Sequence, residues 1–228
     1  SLINKIAAGE VVERPASVVK ELIENCLDAK STEIVIDIEN GGLDLIQITD
    51  NGVGMSPEDA KMSLQRHATS KIETVSDLDK IMTLGFRGEA LAAISSVSKF
   101  RMVTKPEGEV AAFELSFIDE EITEKPASGV TGTMIEIKGL FHTVPARKKF
   151  MKTGSTEFRH ILSVVTNQAL LTPNVSWKLS HNKKEILNVK AVADWKQRII
   201  DLLGKERTDQ MIELNHQRGS LIISGFLF

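Results

Sequence analysis

The sequence predicts an α+β protein, and three stretches near its start indicate this mixture. Residues 15–29 place apolar side chains at helical spacing behind a polar stripe. Residues 34–38 alternate isoleucine with other residues, which is the period-two pattern of a strand. Asn40-Gly41-Gly42 then indicates a hairpin turn into an apolar segment at 43–49, which we expect to be a central strand.

The later helices and strands are predicted from the same helical spacing and period-two alternation, and from residues that favour the start of a helix. Ser56-Pro57 predicts a helix start, because serine can cap a helix and proline suits its first position. Further helices are expected at residues 78–82, 89–97, 157–171 and 194–203. Further strands are expected at residues 99–104, 110–117, 133–138, 176–181, 185–189, 211–215 and 221–228.

The pattern of elements restarts after residue 190. A helix that ends at Gly204 and two strands come after this point. We therefore expect residues 1–190 to form one domain and residues 191–228 to begin a second, truncated one. The first residue is not Met and the last three are apolar, so both ends look like cuts in a longer protein.

Composition excludes several classes of protein. The 228 residues contain 42% hydrophobic residues, enough for an ordinary core, and a single cysteine, Cys26, so no internal disulfide can form. No apolar run reaches the length of a membrane span and no signal-peptide pattern is present, so a soluble protein is expected. The net charge of -3 means that any nucleic-acid contact must use a local patch. The strongest patch, residues 145–152, is equally well interpreted as a phosphate-backbone contact or as a solvated loop leading to a helix.

A polar stripe runs along the first predicted helix. At roughly 100° per residue, Glu21, Asn25 and Asp28 fall within an arc of about 60°. A carboxylate there could accept a proton, and a carboxamide could offer its oxygen to a hard cation. Taken alone, the stripe is also explained as the surface of an ordinary amphipathic helix.

Two glycine-rich segments could contact a ligand. Asp50-Asn51-Gly52-Val53-Gly54 follows the central strand, where Asp50 could accept a hydrogen bond from an amine such as that of adenine, although a plain turn explains it too. The segment from Gly85 to Leu91 leads into a helix, whose free N–H groups could bind phosphate. Thr69 and Lys71, upstream, would also suit an anion. The chain lacks both the P-loop and the dinucleotide-binding glycine patterns.

The order of these segments resembles that of the GHKL ATPase superfamily, and three stretches narrow the resemblance to the MutL family. They are Ile6–Pro15, Arg66–Ile72 and Gly85–Leu91. The amino-acid sequence at residues 15–19 and 66–68 is more similar to bacterial members, whereas that at residues 25–32 is more similar to eukaryotic members. The resemblance covers residues 3–158 well and the remainder more weakly.

The resemblance implies a role for each matching residue. Glu21 matches the general base that activates water, Asn25 the Mg²⁺ ligand and Asp50 the carboxylate that reads adenine. Asp28 is expected only to orient the helix. The expected nucleotide-binding residues also include Gly52, Gly54, Met55, Thr69, Lys71, Gly85, Phe86, Arg87, Gly88, Glu89, Ala90, Leu91 and Thr133.

The resemblance also implies a fold and a function. The fold is a two-layer α/β sandwich with helices on one face of a mixed sheet, an ATP-binding domain over 1–190 and the start of a transducer-like domain over 191–228. The function is that of an Mg²⁺-dependent mismatch-repair ATPase that switches conformation and dimerises on binding ATP. The alternative is another GHKL protein, such as a type II topoisomerase subunit. In this family the second domain supplies a lysine that contacts the γ-phosphate. Because residues 191–228 are expected to be only the start of that domain, hydrolysis is expected to be weak here.

The partners that the resemblance implies are a mismatch-recognition protein of the MutS type, downstream nuclease or helicase factors, and DNA bound through local basic patches. The resemblance also implies self-association on ATP binding. It implies no interaction with a membrane. The location would be the cytoplasm and nucleoid in a bacterium, or the nucleus in a eukaryote.

Overall fold

A computed structural model describes residues 12–65, 90–209 and 211–227. Its main feature is an eight-stranded sheet with the order β5-β4-β3-β6-β2-β1-β7-β8. The strands are β1 (Glu33–Glu39), β2 (Leu45–Asp50), β3 (Lys99–Lys105), β4 (Ala112–Ile118), β5 (Glu121–Ala127), β6 (Gly132–Lys138), β7 (Ser176–His181) and β8 (Lys184–Val189).

In chain order, the helices of the described residues lie before, between and after these strands. They are α1 (Pro15–Asp28), α2 (Pro57–Ser63), α3 (Ala90–Ser96), α4 (Pro145–Phe150), α5 (Gly154–Leu171), α6 (Trp195–Leu203) and α7 (Lys205–Thr208). A 3-10 turn over Asn40–Gly42 connects β1 to β2. The predicted helix at 78–82 lies outside the described residues.

The sheet is mixed, as expected for the predicted fold class. β1 pairs with β2 in antiparallel fashion and with β7 in parallel fashion. β2 lies between β1 and β6, so the prediction that residues 43–49 form a central strand is confirmed. Asp50, the last residue of β2, is opposite Thr133 of β6 in the register.

The hydrophobic core lies on one face of the sheet. Along β1 and β2, buried residues alternate with half-buried ones, which is the pattern of a sheet with one covered face. Ile36 and Ile48 face each other across these strands and are almost fully buried. They share a cluster with apolar residues of α1 and α5, including Leu22 and Ile161. Burial of these side chains is the main force that holds the helices against the sheet.

Most predicted element starts agree with the capping chemistry. Ser56 caps α2 by accepting a hydrogen bond from the Asp59 N–H, and Asp194 caps α6 in the same way. α5 begins at Gly154, three residues before the predicted start at 157, because Thr153 caps it by accepting from the N–H of Thr156.

Three described elements, β5, α4 and the one-turn helix α7, were not predicted as such. β5 is an edge strand whose exposed side chains and Pro126 hide the usual strand signal. The basic segment at 145–152 contains the short helix α4, which begins at Pro145.

The last elements of the chain lie outside the large sheet. β9 (Ile212–Arg218) and β10 (Leu221–Leu227) form a separate antiparallel pair. α6 ends at Leu203 and Gly204 follows as its C-cap, as predicted. The division of the chain near residue 190 stays a prediction. No helix of the described ranges is long and apolar enough to cross a membrane.

Candidate functional site

The polar stripe of α1 lies at the edge of the buried face of this helix. Pro15 occupies the first helical position, and Leu22 and Cys26 are buried behind the stripe. Glu21, Asn25 and Asp28 are half-buried. The stripe therefore borders the core without being enclosed by it, which is a position from which side chains can meet a ligand.

Asp50 is the most strongly constrained polar residue of the site. Its side chain is 8% exposed. Its Oδ1 accepts a hydrogen bond of 2.9 Å from the Ser31 hydroxyl and one of 2.7 Å from the Gly52 N–H. The Cys26 thiol and the Thr133 backbone also donate to this carboxylate. Asp50 thus joins the last turn of α1 to the ends of β2 and β6.

Burial changes the protonation of these groups. Desolvation raises the pKa of Asp50, and the hydrogen bonds from Gly52, Ser31, Cys26 and Thr133 partly offset this rise. Burial also raises the pKa of the Cys26 thiol well above its ordinary value, and the nearby Asp50 charge adds to this. Cys26 is therefore a protonated donor behind the site, and it packs in the hydrophobic core.

The glycines after Asp50 are required by close packing. A Cβ atom at Gly52 would lie 2.7 Å from the Ala29 carbonyl oxygen and from the Ser31 hydroxyl. Gly54 has a φ of 70°, and a Cβ there would collide with the Lys105 backbone. The Asp50-Asn51-Gly52-Val53-Gly54 segment can therefore lie directly against α1 and β3 only because these two positions lack side chains.

Two threonines connect Asp50 to the segment that follows it. The Thr133 hydroxyl lies 2.9 Å from the Thr104 hydroxyl, and both residues are buried. Thr104 also accepts a hydrogen bond of 2.9 Å from the N–H of Met55. The three predicted residues Asp50, Met55 and Thr133 therefore belong to one polar network, in which Thr133 contacts Asp50 through its backbone.

Sequence reasoning missed two members of this network, Ser31 and Thr104. Thr104 is directly opposite Thr133 in the register of β3 and β6. That pairing could have been found only by aligning the two predicted strands. Ser31 follows α1 after Lys30, which has a φ of 62° and turns the chain back towards Asp50.

The predicted phosphate-binding residues are only partly described. Ala90 and Leu91 lie in α3 and are half-buried. The other expected contacts lie outside the described residues, namely Thr69, Lys71, Gly85, Phe86, Arg87, Gly88 and Glu89.

A magnesium ion is compatible with the donors on α1. Glu21, Asn25 and Asp28 each carry side-chain oxygen atoms, the ligands that Mg²⁺ prefers. No group of three His, Cys, Asp or Glu side chains able to hold a metal exists within residues 12–65, 90–209 and 211–227. Mg²⁺ ordinarily binds one or two protein oxygens and completes its coordination with water and phosphate.

Comparisons with known proteins identify the protein family to which this chain belongs. The family model for the histidine kinase-, DNA gyrase B- and HSP90-like ATPases matches residues 13–148. The ATPase domain of Aquifex aeolicus MutL, solved with ADP, is 31% identical, with a TM-score of 0.72. The match covers 90% of this chain and 73% of that domain. This chain belongs to the MutL family of these ATPases.

Further MutL relatives support the assignment. The chain is 46% identical to the DNA mismatch repair protein MutL of Actinobacillus pleuropneumoniae and 45% identical to that of Chlorobium phaeobacteroides. These matches cover 99% and 98% of this chain but only 38% and 36% of the two relatives. The N-terminal domain of a DNA repair protein has a TM-score of 0.81 at 25% identity. The predicted family and fold class are thus confirmed.

Proposed function

We propose that this chain binds and slowly hydrolyses ATP, and that it acts as a conformational and dimerisation switch in DNA mismatch repair. The observation that carries the proposal is the buried Asp50 carboxylate at the end of β2, held by hydrogen bonds from Ser31, which follows α1, and from the Gly52 N–H. The 46% identity to a MutL protein over almost the whole chain favours mismatch repair over a type II topoisomerase subunit.

Asp50 is the residue proposed to read adenine. Its carboxylate is an acceptor, and the exocyclic amine of adenine is a donor. Because the hydrogen bonds from the Ser31 hydroxyl and the Gly52 N–H already fix its position, Asp50 would meet the base without reorganising. Met55, which is half-buried beside this network, would pack near the ring.

Glu21 is proposed as the general base. Its half-buried carboxylate would take a proton from the water whose oxygen attacks the γ-phosphorus, while the bond to the departing ADP breaks. Asn25, one turn further along α1, would hold Mg²⁺, which when bound neutralises charge on the phosphates. Asp28 would orient the helix.

The phosphates are proposed to meet Lys71 and the N–H groups of the segment from Gly85 to Leu91. A helix N-terminus preceded by glycines offers free N–H donors to an anion. α3, which contains Ala90 and Leu91, is placed against the sheet by its buried residues Ala93 and Ile94.

The partner surfaces belong to the same proposal. The exposed cations Lys148 and Lys149 lie on α4, and the exposed Lys152 follows this helix. These three side chains would contact a DNA backbone. The mismatch-recognition protein and the downstream repair factors would respond to the ATP-bound, dimerised form.

Replacement of Glu21 by alanine tests the hydrolytic role. We expect Glu21→Ala to retain binding of a non-hydrolysable ATP analogue and to lose about 100-fold or more of the single-turnover hydrolysis rate, the usual contribution of a general base. Titration calorimetry in the presence of Mg²⁺ would measure binding of the analogue. A phosphate-release assay would measure the hydrolysis rate. Glu58→Ala, at an exposed position of α2, is the matched control. A hydrolysis rate unchanged in Glu21→Ala, or reduced equally in Glu58→Ala, would contradict the assignment.

A further inference from the structure

The connection between β6 and α4 holds the end of α3. The Phe141 N–H donates a 2.7 Å hydrogen bond to the carbonyl of Val97, just after α3. The Thr143 hydroxyl donates to the carbonyl of Ser96, at 3.2 Å. The Phe141 side chain is fully buried, so this connection is anchored in the core.

Arg147 extends the same connection to the start of α1. Its guanidinium donates a 2.6 Å hydrogen bond from Nη1 to the carbonyl of Val12, two residues before the helix cap at Arg14. The guanidinium carbon also lies 5.9 Å from the centre of the Phe141 ring, within the range of a cation–π contact. Arg147 is half-buried, whereas its neighbours Lys148 and Lys149 are exposed.

A second charged residue holds the same end of α1. Glu157 of α5 is fully buried, and its Oε1 accepts a 3.0 Å hydrogen bond from the N–H of Lys152. Its Oε2 lies 3.8 Å from Nε of Arg14 and has no hydrogen-bond partner among the described residues. A buried carboxylate oxygen is costly unless a cation stays near it, so this pair favours one position of Arg14.

We propose that Arg147 is a positioning residue for ATP hydrolysis, because it fixes the start of α1, and through this helix Glu21, relative to the end of α3. The inference rests on the proposed function, which places the general base on α1 and phosphate contacts on α3. A helix fixed at its first turn cannot slide or rotate freely. Small displacements of a reacting group cost large factors in rate, so such an anchor affects the chemical step more than ligand binding.

This assignment separates Arg147 from the rest of the basic segment. Lys148, Lys149 and Lys152 are exposed and available to a polyanion, whereas the Arg147 guanidinium is engaged with Val12 and Phe141. Replacement of Arg147 should therefore change hydrolysis without changing the salt dependence of DNA binding.

Arg147→Met is the decisive variant, because it keeps the length of the side chain and removes the donor to Val12. In single-turnover assays of the full 228-residue chain at saturating ATP and Mg²⁺, we expect the rate to fall about tenfold or more. The dissociation constant for a non-hydrolysable ATP analogue should change less than about twofold. Arg147→Lys, which keeps a charge and one donor group, should recover part of the rate. Arg159→Met, at an exposed position of α5, is the matched control.

The outcomes distinguish this inference from the proposed function. A rate abolished by Glu21→Ala but equal in Arg147→Met and Arg159→Met would overturn the inference alone. Equal losses of rate, affinity and melting temperature in Arg147→Met, with no recovery in Arg147→Lys, would overturn it as well, because they indicate a structural role only. If the unaltered chain releases no phosphate, or Glu21→Ala matches its rate, the proposed function fails and the inference fails with it.

A second variant tests the same anchor from the other side. Glu157→Gln keeps an oxygen for the N–H of Lys152 and removes the charge beside Arg14. We expect a smaller loss of hydrolysis rate than in Arg147→Met, again with unchanged analogue affinity. A Glu157→Gln rate equal to that of the unaltered chain, together with full activity in Arg147→Lys and Arg147→Met, would contradict a positioning role for this end of α1.

Discussion

Asp50 at the end of β2 and Arg198 in α6 are both buried charged side chains, and the protein satisfies them differently. Asp50 accepts hydrogen bonds from small donors on three segments of the chain. Arg198 is fully buried, and its Nη2 donates to the carbonyls of Pro173, Val175 and Lys190. Within the part of the chain that the structure describes, its Nε and Nη1 atoms have no hydrogen-bond partner.

Desolvation disfavours the charged form of both groups. It raises the pKa of Asp50 and lowers the pKa of Arg198, where the nearby Asp201 partly offsets it. The difference lies in what surrounds them. Asp50 lies among hydroxyl, thiol and N–H donors beside the half-buried stripe of α1, where a ligand amine could join them. Arg198 is enclosed by backbone carbonyls that join the end of α5 to β7 and the end of β8, which is a structural role.

The comparison predicts its largest effect at Asp50. We expect Asp50→Asn to weaken binding of an ATP analogue about a thousandfold or more, because a site built to accept a hydrogen bond then presents a donor. The free energy of unfolding should change by only about 1 kcal/mol, since removal of a desolvated charge offsets the weakened hydrogen bonds. Calorimetry and urea denaturation measure the two quantities.

Asp44→Asn, an exposed change just before β2, is the control for Asp50→Asn. Analogue affinity that survives Asp50→Asn would remove Asp50 from the adenine site. Loss of folding together with affinity would instead make Asp50 as structural as Arg198.

Arg198 should show the opposite balance. Arg198→Met leaves three carbonyls without their donor, and we expect the free energy of unfolding to fall by about 2–3 kcal/mol. Analogue affinity of the folded protein should stay unchanged. Lys196→Met, at an exposed position of the same helix, should leave both quantities unchanged. Equal stability of Arg198→Met and Lys196→Met would show that the buried guanidinium contributes nothing net.

The smallest expected effect concerns His181, which extends the comparison to a neutral group. Its Nε2 accepts a 3.2 Å hydrogen bond from the N–H of Gly41, and its ring stacks on Phe158 at 3.8 Å. Burial lowers its pKa, so the folded protein favours neutral imidazole. The contribution of His181 to the free energy of unfolding is therefore complete at pH values above 6.5, the ordinary pKa of histidine. It is lost as the pH falls below 6.5 towards the lower pKa of the folded state.

We expect the loss at His181 to be about 1 kcal/mol, the net value of one hydrogen bond. Denaturation of His181→Gln and of the exposed control His160→Gln at a series of pH values measures it. The stability of His181→Gln should fall less between pH 7 and pH 5 than that of the control. Identical pH profiles for the two variants would assign the dependence to other groups.

The sequence predicted the features that depend on local pattern. The apolar spacing in α1 and the alternation in β1 are read from neighbouring residues, and Asp50 is marked by the glycines that follow it. Arg198 could not be predicted, because its three partners are backbone carbonyls 8, 23 and 25 residues away. The same reason applies to Arg147, whose acceptor lies 135 residues earlier in the chain. A sequence motif can indicate which side chain acts, but not which distant carbonyl holds it.

The register that places Thr133 beside Asp50 has a consequence for the order of folding. The donors to Asp50 come from α1 and the turn after it, from Gly52 and from β6, and β6 begins more than 80 residues after β2. Pairing of such distant segments is slow compared with formation of a helix or hairpin. Competence to bind a nucleotide should therefore appear only in the final refolding phase, after helical circular dichroism has recovered. A fluorescent ATP analogue added during refolding would then report the completion of the sheet.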